Sequence, residues 1–169
     1  MSEITISRAV SHSVANVWAA LDDFSGIHRW SAGVETSPTN PGTPSRGVGA
    51  ERNCHLYDGN HIQERITQVI DQRRLAIEVF DTSMPLKSAD AAFDIEPTSD
   101  GGTSLTMTFH YVVKFGLLGK AMDGLMIRRK MTASLNNLLA ALDEHLRTGE
   151  TIDKGWTSTQ AAQTLPASA

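Results

Sequence analysis

The sequence predicts an α+β domain in which an antiparallel sheet is closed by one long C-terminal helix. Strand patterns follow one another from Val48 to Val113, with apolar residues at alternate positions. A single amphipathic stretch follows from Leu117 to Arg147, roughly 45 Å long at about 1.5 Å per residue. Because a lone helix of this length must bury its apolar face against a curved sheet, sheet and helix together are expected to form a cup.

The first 50 residues predict a strand, two short helical segments and a second strand. Ser13 is placed to cap the first helix, in which apolar residues recur at helical spacing as far as Phe24. Gly26 is expected to end that helix before a second short turn. A surface loop rich in proline and glycine then follows. The predicted segments are residues 4–10, 14–24, 27–30 and 34–37, with the loop at residues 38–47.

The remaining strands begin with a hairpin that turns at Asp58 and Gly59. Two further strands follow, one around Ile77 and one around Phe93, before a last turn at residues 99–102. The clearest alternation lies in the last strand. Its side chains expected to face the interior are Leu105, Met107, Phe109, Tyr111 and Val113.

Composition limits the functions that fit. The chain of 169 residues suits one domain, and its 15 Lys and Arg against 19 Asp and Glu give a net charge of −4. This charge argues against nucleic acid and anionic membranes as partners. No apolar run is long enough for a membrane span, so a soluble protein is expected. Cys54 is the only cysteine, which excludes an internal disulfide and favours the cytoplasm.

The domain is expected to cover residues 1–148. After Gly149 the composition turns to Thr, Ser, Gln and Ala, which predicts a disordered C-terminal tail over residues 149–169. Trp156 is the one residue of this tail that is expected to be able to dock.

Several blocks of the chain together resemble a known superfamily. They are SVANVWAALDDFSGIHRW, GVGAERN, ERITQVID, GGTSLTMTFHYVV and the terminal helix, which span roughly residues 3–147. In this order they resemble the START-like (SRPBCC) superfamily, in its bacterial polyketide cyclase/dehydrase-like branch, related to birch-pollen allergens and plant abscisic-acid receptors. The resemblance implies a helix-grip fold, with a curved seven-stranded antiparallel sheet around the last helix and two short helices after the first strand. It also implies a ligand cavity between sheet and helix.

The hairpin places two opposite charges within reach of each other. If Gly59 is left-handed and forms a bulge, Arg52 faces Glu64 and Cys54 faces Ile62 on the inner side of the sheet. A two-residue turn would instead place Asn53 opposite Glu64. The alternation of apolar residues favours the bulged form. The resemblance agrees, since a glutamate at the Glu64 position lines the pocket of the plant receptors.

The Arg52 and Glu64 pair has two interpretations. A desolvated Glu64 beside Arg52 could orient a ligand carbonyl or hydroxyl, or act as a general base, and Tyr111 adds a hydroxyl that could donate a proton. These three residues are the catalytic candidates. The pair is equally typical of a buried ion pair that satisfies itself and sets the strand register.

Inward-facing positions supply the candidate ligand-binding residues. Methionines facing aromatic side chains would suit an adaptable pocket for an apolar ligand. The candidates are Trp30, Arg52, Cys54, Leu56, Ile62, Glu64, Phe93, Met107, Phe109, Tyr111, Met122 and Met126.

Other polar residues carry weaker hypotheses. His28 could contact a planar ligand but is more typical of a surface residue. His55 and His61 would oppose each other on the outer face, yet no third ligand has suitable spacing, so neither a metal nor a cofactor is expected. The basic cluster at residues 128–130 is typical of a solvated helix face, with Arg129 nearest the apolar stripe.

The sequence thus favours a module, monomeric or homodimeric, that binds a hydrophobic small molecule of lipid, polyketide or aromatic character. The alternative is an enzyme of the polyketide cyclase, aromatase or dehydratase type, which would use the inward Arg52 and Glu64 pair for proton transfer. A third hypothesis is an interaction protein that docks a partner through its tail or its helix. The first two require the same cup, so the sequence does not separate them.

Overall fold

A computed structural model describes residues 1–114 and 127–159 of the chain. The elements are β1 (Ser2–Val10), α1 (Val14–Asp22), a 3₁₀ helix (Phe24–Arg29), β2 (Val34–Thr36), β3 (Glu51–Leu56), β4 (His61–Ile70), β5 (Arg74–Thr82), β6 (Leu86–Pro97), β7 (Thr103–Val113) and α2 (Arg128–Thr148).

The seven strands form one antiparallel sheet in the order β1-β7-β6-β5-β4-β3-β2. Register shifts interrupt the β4–β5 pairing between Gln63 and Glu64 and again between Ile66 and Gln68. Such bulges bend and twist a sheet, which lets this one curve around the helix. The predicted α+β class and helix-grip architecture are confirmed.

The helices after β1 begin as predicted but divide differently. The side chain of Ser13 accepts a hydrogen bond from the Asn16 amide and caps α1. α1 ends at Asp22, and Gly26 lies inside the following 3₁₀ helix instead of breaking the chain. The Gly26 amide bonds to the Asp23 carbonyl at 2.8 Å, as in a tight 3₁₀ turn. A Cβ at Gly26 would collide with the Asp23 and Arg29 side chains, so glycine suits this turn.

The core lies between the inner face of the sheet and one side of α2. Leu105, Met107, Phe109 and Tyr111 of β7 are buried as predicted, while Val113 is half-buried. On α2, the buried leucines are Leu135, Leu139 and Leu142, all of which belong to the predicted apolar stripe. The predicted start of this helix, at residues 117–126, lies outside the described residues. Among those described, no helix is long and apolar enough to cross a membrane.

The segment after α2 is packed against the domain as far as the structure describes it. Gly149 adopts a left-handed conformation and ends the helix, and the chain then turns back. Ile152 is only 5 % exposed, and its amide bonds to the Arg29 carbonyl at 2.8 Å. One apolar side chain and a few backbone hydrogen bonds therefore hold this part of the predicted tail against the domain. Residues 160–169 lie outside the described residues.

Candidate ligand cavity

A cavity of about 420 Å³ lies between the inner face of the sheet and α2. This volume falls within the range of roughly 300–1,000 Å³ that is typical of small-molecule sites. Strands β2 to β7, the hairpin turn, the segment before β2 and one side of α2 all contribute to its wall. The predicted cup therefore contains a cavity of ligand size.

Half of the candidate ligand-binding residues lie in this wall. They are apolar or weakly polar except for Glu64, and they come from neighbouring strands on the inner face. The six are Cys54, Leu56, Ile62, Glu64, Met107 and Phe109.

Four other candidates lie outside the described wall of the cavity. Trp30, Phe93 and Tyr111 are buried in the core, where the Tyr111 ring stacks on Phe109 with 5.6 Å between ring centroids. Arg52 lies directly opposite Glu64 in the β3–β4 ladder but is not part of the described wall. Alternation along a strand predicts which face a side chain occupies but not how far along the strand the cavity extends. Met122 and Met126 lie outside the described residues.

Many residues of the wall are not among those that the sequence predicted. Ile77, Val79 and Ala91 share the alternation of the core strands, and Leu135 belongs to the apolar stripe of α2. The periodicity of the sequence could therefore have identified these four residues. The others lie in strands, in turns, in the 3₁₀ helix and on the flank of α2, and no periodic pattern shows which of them reach a cavity. They include Ile27, Ser31, Ala32, Gly33, Val34, Tyr57, Asp58, Thr82, Met84, Leu86, Met131, Ser134, Asn137 and Leu138.

The hairpin adopts the bulged register that the sequence favoured. Gly59 has a φ of 86°, a left-handed conformation that costs glycine little. The Leu56 amide bonds to the Asn60 carbonyl at 2.8 Å across the turn. As a result Arg52 pairs with Glu64 in the ladder, and Cys54 pairs with Ile62.

Arg52 and Glu64 form a buried ion pair at the closed end of the cavity. The Arg52 Nε donates to Glu64 Oε2 at 2.6 Å, and its Nη1 donates to the Phe24 carbonyl at 2.6 Å. The guanidinium also stacks on the Phe24 ring, 4.0 Å from the centroid. Only 5 % of the Arg52 side chain is exposed. The cation therefore interacts with protein groups and not with the cavity space.

Cys54 completes the closed end as a neutral thiol. Its Sγ lies 3.6 Å from Glu64 Oε2, within hydrogen-bonding distance for sulfur. Burial, together with the negative charge of Glu64, raises the pKa of the Cys54 thiol to about 12. Because only a thiolate is a strong nucleophile, Cys54 is suited to donate to Glu64 and not to attack a substrate.

Glu64 keeps one carboxylate oxygen available to the cavity. Both Arg52 and Cys54 contact Oε2, and no described residue donates a hydrogen bond to Oε1. The side chain is 13 % exposed and forms part of the cavity wall. Ile66, the next inward position along β4, is fully buried and lies outside the wall. Glu64 is therefore a positioned hydrogen-bond acceptor at the inner limit of the cavity on β4.

The opposite end of the cavity is a mouth lined by exposed residues. Gly33, Asp58 and Ser134 are exposed members of the wall, from the segment before β2, the hairpin turn and α2 respectively. They place the opening between these three elements.

The segment that follows α2 contacts the cavity wall beside this mouth. The Gly155 amide bonds to the Ala32 carbonyl at 3.4 Å, and the Lys154 Nζ lies 5.0 Å from the centroid of the Tyr57 ring. Asn137 Nδ2 donates to the Trp156 carbonyl at 3.0 Å. Ala32, Tyr57 and Asn137 all belong to the cavity wall. The C-terminal segment therefore braces three separate parts of the mouth.

The histidines and the basic cluster lie away from the cavity. His28 Nδ1 is 2.9 Å from both the Ser25 carbonyl and Ser37 Oγ, beside a shallow surface groove that His55 also lines. His61 opposes His55 in the ladder and bonds to Asp81. In the part of the chain that the structure describes, no three His, Cys, Asp or Glu side chains come together to hold a metal ion. The basic residues 128–130 are exposed at the start of α2.

Solved structures with the same fold support this description. A START superfamily protein from Mycobacterium smegmatis superimposes with a TM-score of 0.71 at 13% identity, over 86% of this chain and 97% of that one. The protein XoxI from Bacillus cereus gives 0.69 at 17% identity, over 88% and 97%. DynU16, from the dynemicin biosynthetic locus, gives 0.65 at 15% identity, over 89% of this chain and 49% of its own. At such identities the likeness concerns the fold alone.

The family of this chain is shown by its sequence. No curated protein matches the chain significantly. A family model described as "Polyketide cyclase / dehydrase and lipid transport" matches residues 1–147. This range holds every described strand, the cavity wall and nearly all of α2. The chain therefore belongs to the polyketide cyclase / dehydrase and lipid transport family.

Proposed function

We propose that the protein binds a hydrophobic small molecule in the cavity between the sheet and α2. The observation that carries this proposal is a cavity of about 420 Å³ whose wall is mainly apolar. The only charged side chains among its described lining residues are Glu64 at the closed end and Asp58 at the mouth. The family's link to polyketides and lipid transport agrees with an apolar ligand.

The composition of the wall suits a ligand that binds mainly through apolar burial. Met84, Met107 and Met131 line the cavity from a loop, a strand and the helix, and unbranched methionine side chains adapt to different ligand shapes. A ligand that buries roughly 300 Å² of apolar surface gains about 7 kcal/mol before the cost of lost motion is subtracted. This gain is compatible with reversible binding.

Filling the cavity tests this proposal directly. Ala91 lies in the wall on β6, so Ala91→Phe places a ring in the ligand space. We expect this variant to lose displacement of a fluorescent apolar probe while retaining the circular dichroism spectrum of the wild type. Ser88→Phe, at an exposed position of the same strand, is the matched control and is expected to bind the probe normally.

A second filling variant guards against misfolding of the first. Leu138→Trp adds a bulky side chain from the α2 side of the same cavity. Retained probe binding in a folded variant of either kind would overturn the proposal. Native mass spectrometry of protein purified from its own host is expected to show a co-purifying small molecule.

Catalysis on the bound ligand is a second candidate, favoured by one observation. Glu64 Oε2 is held by Arg52 and Cys54 while no described residue donates to Oε1, so Glu64 can act as a positioned proton acceptor in the cavity wall. Arg52 and Tyr111 are absent from the described wall, so Glu64 is the one original catalytic candidate that would touch the ligand. Under this hypothesis Glu64→Gln retains ligand binding and abolishes turnover, whereas a pure carrier shows no turnover in either form.

A further inference from the structure

We propose that the cavity selects an apolar molecule with a neutral hydroxyl group, which donates a hydrogen bond to Glu64 Oε1, and that it excludes anionic amphiphiles such as fatty acids. This inference rests on the proposed function, because it names the class of ligand that enters the same cavity. Three features of the described residues support it: the charges of the lining side chains, the contacts of the Arg52 guanidinium, and the lack of a described hydrogen-bond donor at Glu64 Oε1.

The charges of the wall disfavour an anionic ligand. Of the described lining residues only Asp58 and Glu64 are charged, and both are acidic. Two described cations, Lys114 and Lys154, lie beside the wall residues Met84 and Tyr57 but are exposed, so water and salt screen their charges. A carboxylate inside the cavity would lose its hydration and find no cationic partner among the described lining residues, which is costly in an apolar environment.

Arg52 does not change this conclusion, because its donors are directed at the protein. Its guanidinium contacts Glu64 Oε2, the Phe24 carbonyl and the Phe24 ring, and it lies outside the wall. The ion pair is also neutral as a unit. An ammonium ligand would therefore find Glu64 already compensated by Arg52, and a neutral donor matches the site better than either ionic group.

Glu64 Oε1 sets the position of the donor within the cavity. The atom has no described hydrogen-bond donor, and Glu64 lies at the closed end, opposite the mouth at Asp58. A hydroxyl that reaches Oε1 forms a charge-assisted hydrogen bond, which is stronger than a bond between neutral groups. The ligand therefore enters with its hydroxyl first, and its apolar body fills the space between the sheet and α2.

Three probes with the same apolar body separate these possibilities in the wild-type protein. They are para-hexylphenol, para-hexylanisole and para-hexylbenzoate, which present a hydroxyl, a methyl ether without a donor and a carboxylate. Isothermal titration calorimetry at pH 7 is expected to show the phenol binding about 10- to 100-fold more tightly than the anisole, with the benzoate weakest. Anisole or benzoate binding as tightly as the phenol would overturn the inference and leave the proposed function intact.

The proposed function fails in a different way. If none of the three probes, nor the headless analogue hexylbenzene, binds the cavity, then the protein does not bind hydrophobic molecules there and both proposals fall. Binding of hexylbenzene together with equal affinity for all three head groups would contradict only the selection by Glu64.

Glu64→Gln provides the matched test of the residue itself. The substitution removes the negative charge that engages Arg52, so the site becomes cationic. We expect the preference for phenol over anisole to fall by about tenfold and the affinity for benzoate to rise, while hexylbenzene binds as in the wild type. Ser88→Ala, which removes a hydroxyl at an exposed position of β6 outside the cavity wall, is expected to leave the order of affinities unchanged. An unchanged order in folded Glu64→Gln would overturn the assignment to Glu64.

Discussion

The two ends of the cavity are built in opposite ways. The closed end comes from two adjacent strands, where Arg52 and Glu64 face each other in one ladder and are almost fully buried. The mouth comes from four separate parts of the chain, in which the C-terminal segment meets Ala32, Tyr57 and Asn137. The closed end therefore depends on the register of the sheet, whereas the mouth depends on contacts between distant segments.

A substitution at the closed end is therefore expected to change the stability of the domain, whereas one at the mouth is expected to change access to the cavity. A change at the closed end leaves a buried charge or carbonyl without its partner, so the whole sheet is affected. A change at the mouth releases a segment that docks through one buried side chain and a few hydrogen bonds, and the sheet beneath can stay folded. Substitutions at the closed end are therefore expected to lower the unfolding free energy by more than substitutions at the mouth.

The largest loss of stability is expected from Arg52→Met. This variant leaves the Glu64 carboxylate without its cation and the Phe24 carbonyl without its donor. Breaking such a buried pair costs about 3–5 kcal/mol of unfolding free energy, which chemical denaturation measures.

Arg65→Met is the matched control on the outer face of the same hairpin. Arg65 bonds to Glu51 and Glu78, but its side chain is 41 % exposed, so water replaces these partners. We expect a much smaller loss of stability than for Arg52→Met. Equal losses would show that the closed end has no special role in holding the sheet.

The next effect is expected at the mouth, from Ile152→Ala. Ile152 is the buried anchor of the C-terminal segment, and its truncation is expected to cost about 2 kcal/mol, at the low end for buried side chains because the segment can detach by itself. Hydrogen exchange at the Gly155 amide, which bonds to Ala32, is expected to accelerate before the sheet opens. Probe release is expected to become faster as well.

Thr151→Ala changes the exposed neighbour of this anchor and serves as its control, with stability and probe release expected near those of the wild type. If Ile152→Ala exchanges at Gly155 no faster than this control, the C-terminal segment does not brace the mouth.

A smaller effect is expected from Gly59→Ala in the hairpin that joins the two ends. A Cβ at Gly59 would meet no atom within 4 Å, so the cost arises from its φ of +86° and is about 1–2 kcal/mol. Gly33→Ala is the matched control, since a Cβ there also meets nothing within 4 Å and the backbone is not left-handed. Thermal unfolding is expected to separate the two variants, and equal midpoints would show that Gly59 does not constrain the hairpin.

The same contrast explains how much of the molecule the sequence predicted. The closed end followed from local rules, because alternation of side chains and the glycine of the turn together fix which residues face each other. The pairing of Arg52 with Glu64 therefore follows from the sequence pattern alone. The antiparallel sheet and the buried face of α2 followed from the same periodicities.

The mouth and the depth of the cavity could not be predicted in this way. The contacts of Gly155 with Ala32 and of Asn137 with Trp156 join segments that no periodic pattern relates. Phe93 and Tyr111 share the inner face with Met107 and Phe109, yet only the latter two reach the cavity. Depth along a strand depends on where α2 rests, which is a property of the packed domain.

The smallest effect on stability is expected at β1, an edge strand that contributes no described residue to the cavity wall. A substitution that affects β1 therefore tests whether stability can change while both ends of the cavity stay intact. His110 on β7 bonds through Nδ1 to Asp90 at 2.8 Å and through Nε2 to Glu3 of β1 at 3.1 Å. The hydrogen bond with Asp90 contributes most to raising the pKa of His110 above its usual 6.5, and Glu3 adds to it.

Because the folded pKa of His110 lies above the unfolded value, this contribution to stability is complete below pH 6.5 and is lost as the pH rises through the raised pKa. The difference in unfolding midpoint between wild type and His110→Gln should therefore be largest at acidic pH and shrink towards pH 8.5. Binding of hexylbenzene, which has no titratable group, should not differ between the two proteins at any pH in this range. A stability difference that is constant with pH would mean that His110 acts through packing alone, and a change in binding would mean that the sheet edge and the cavity are coupled.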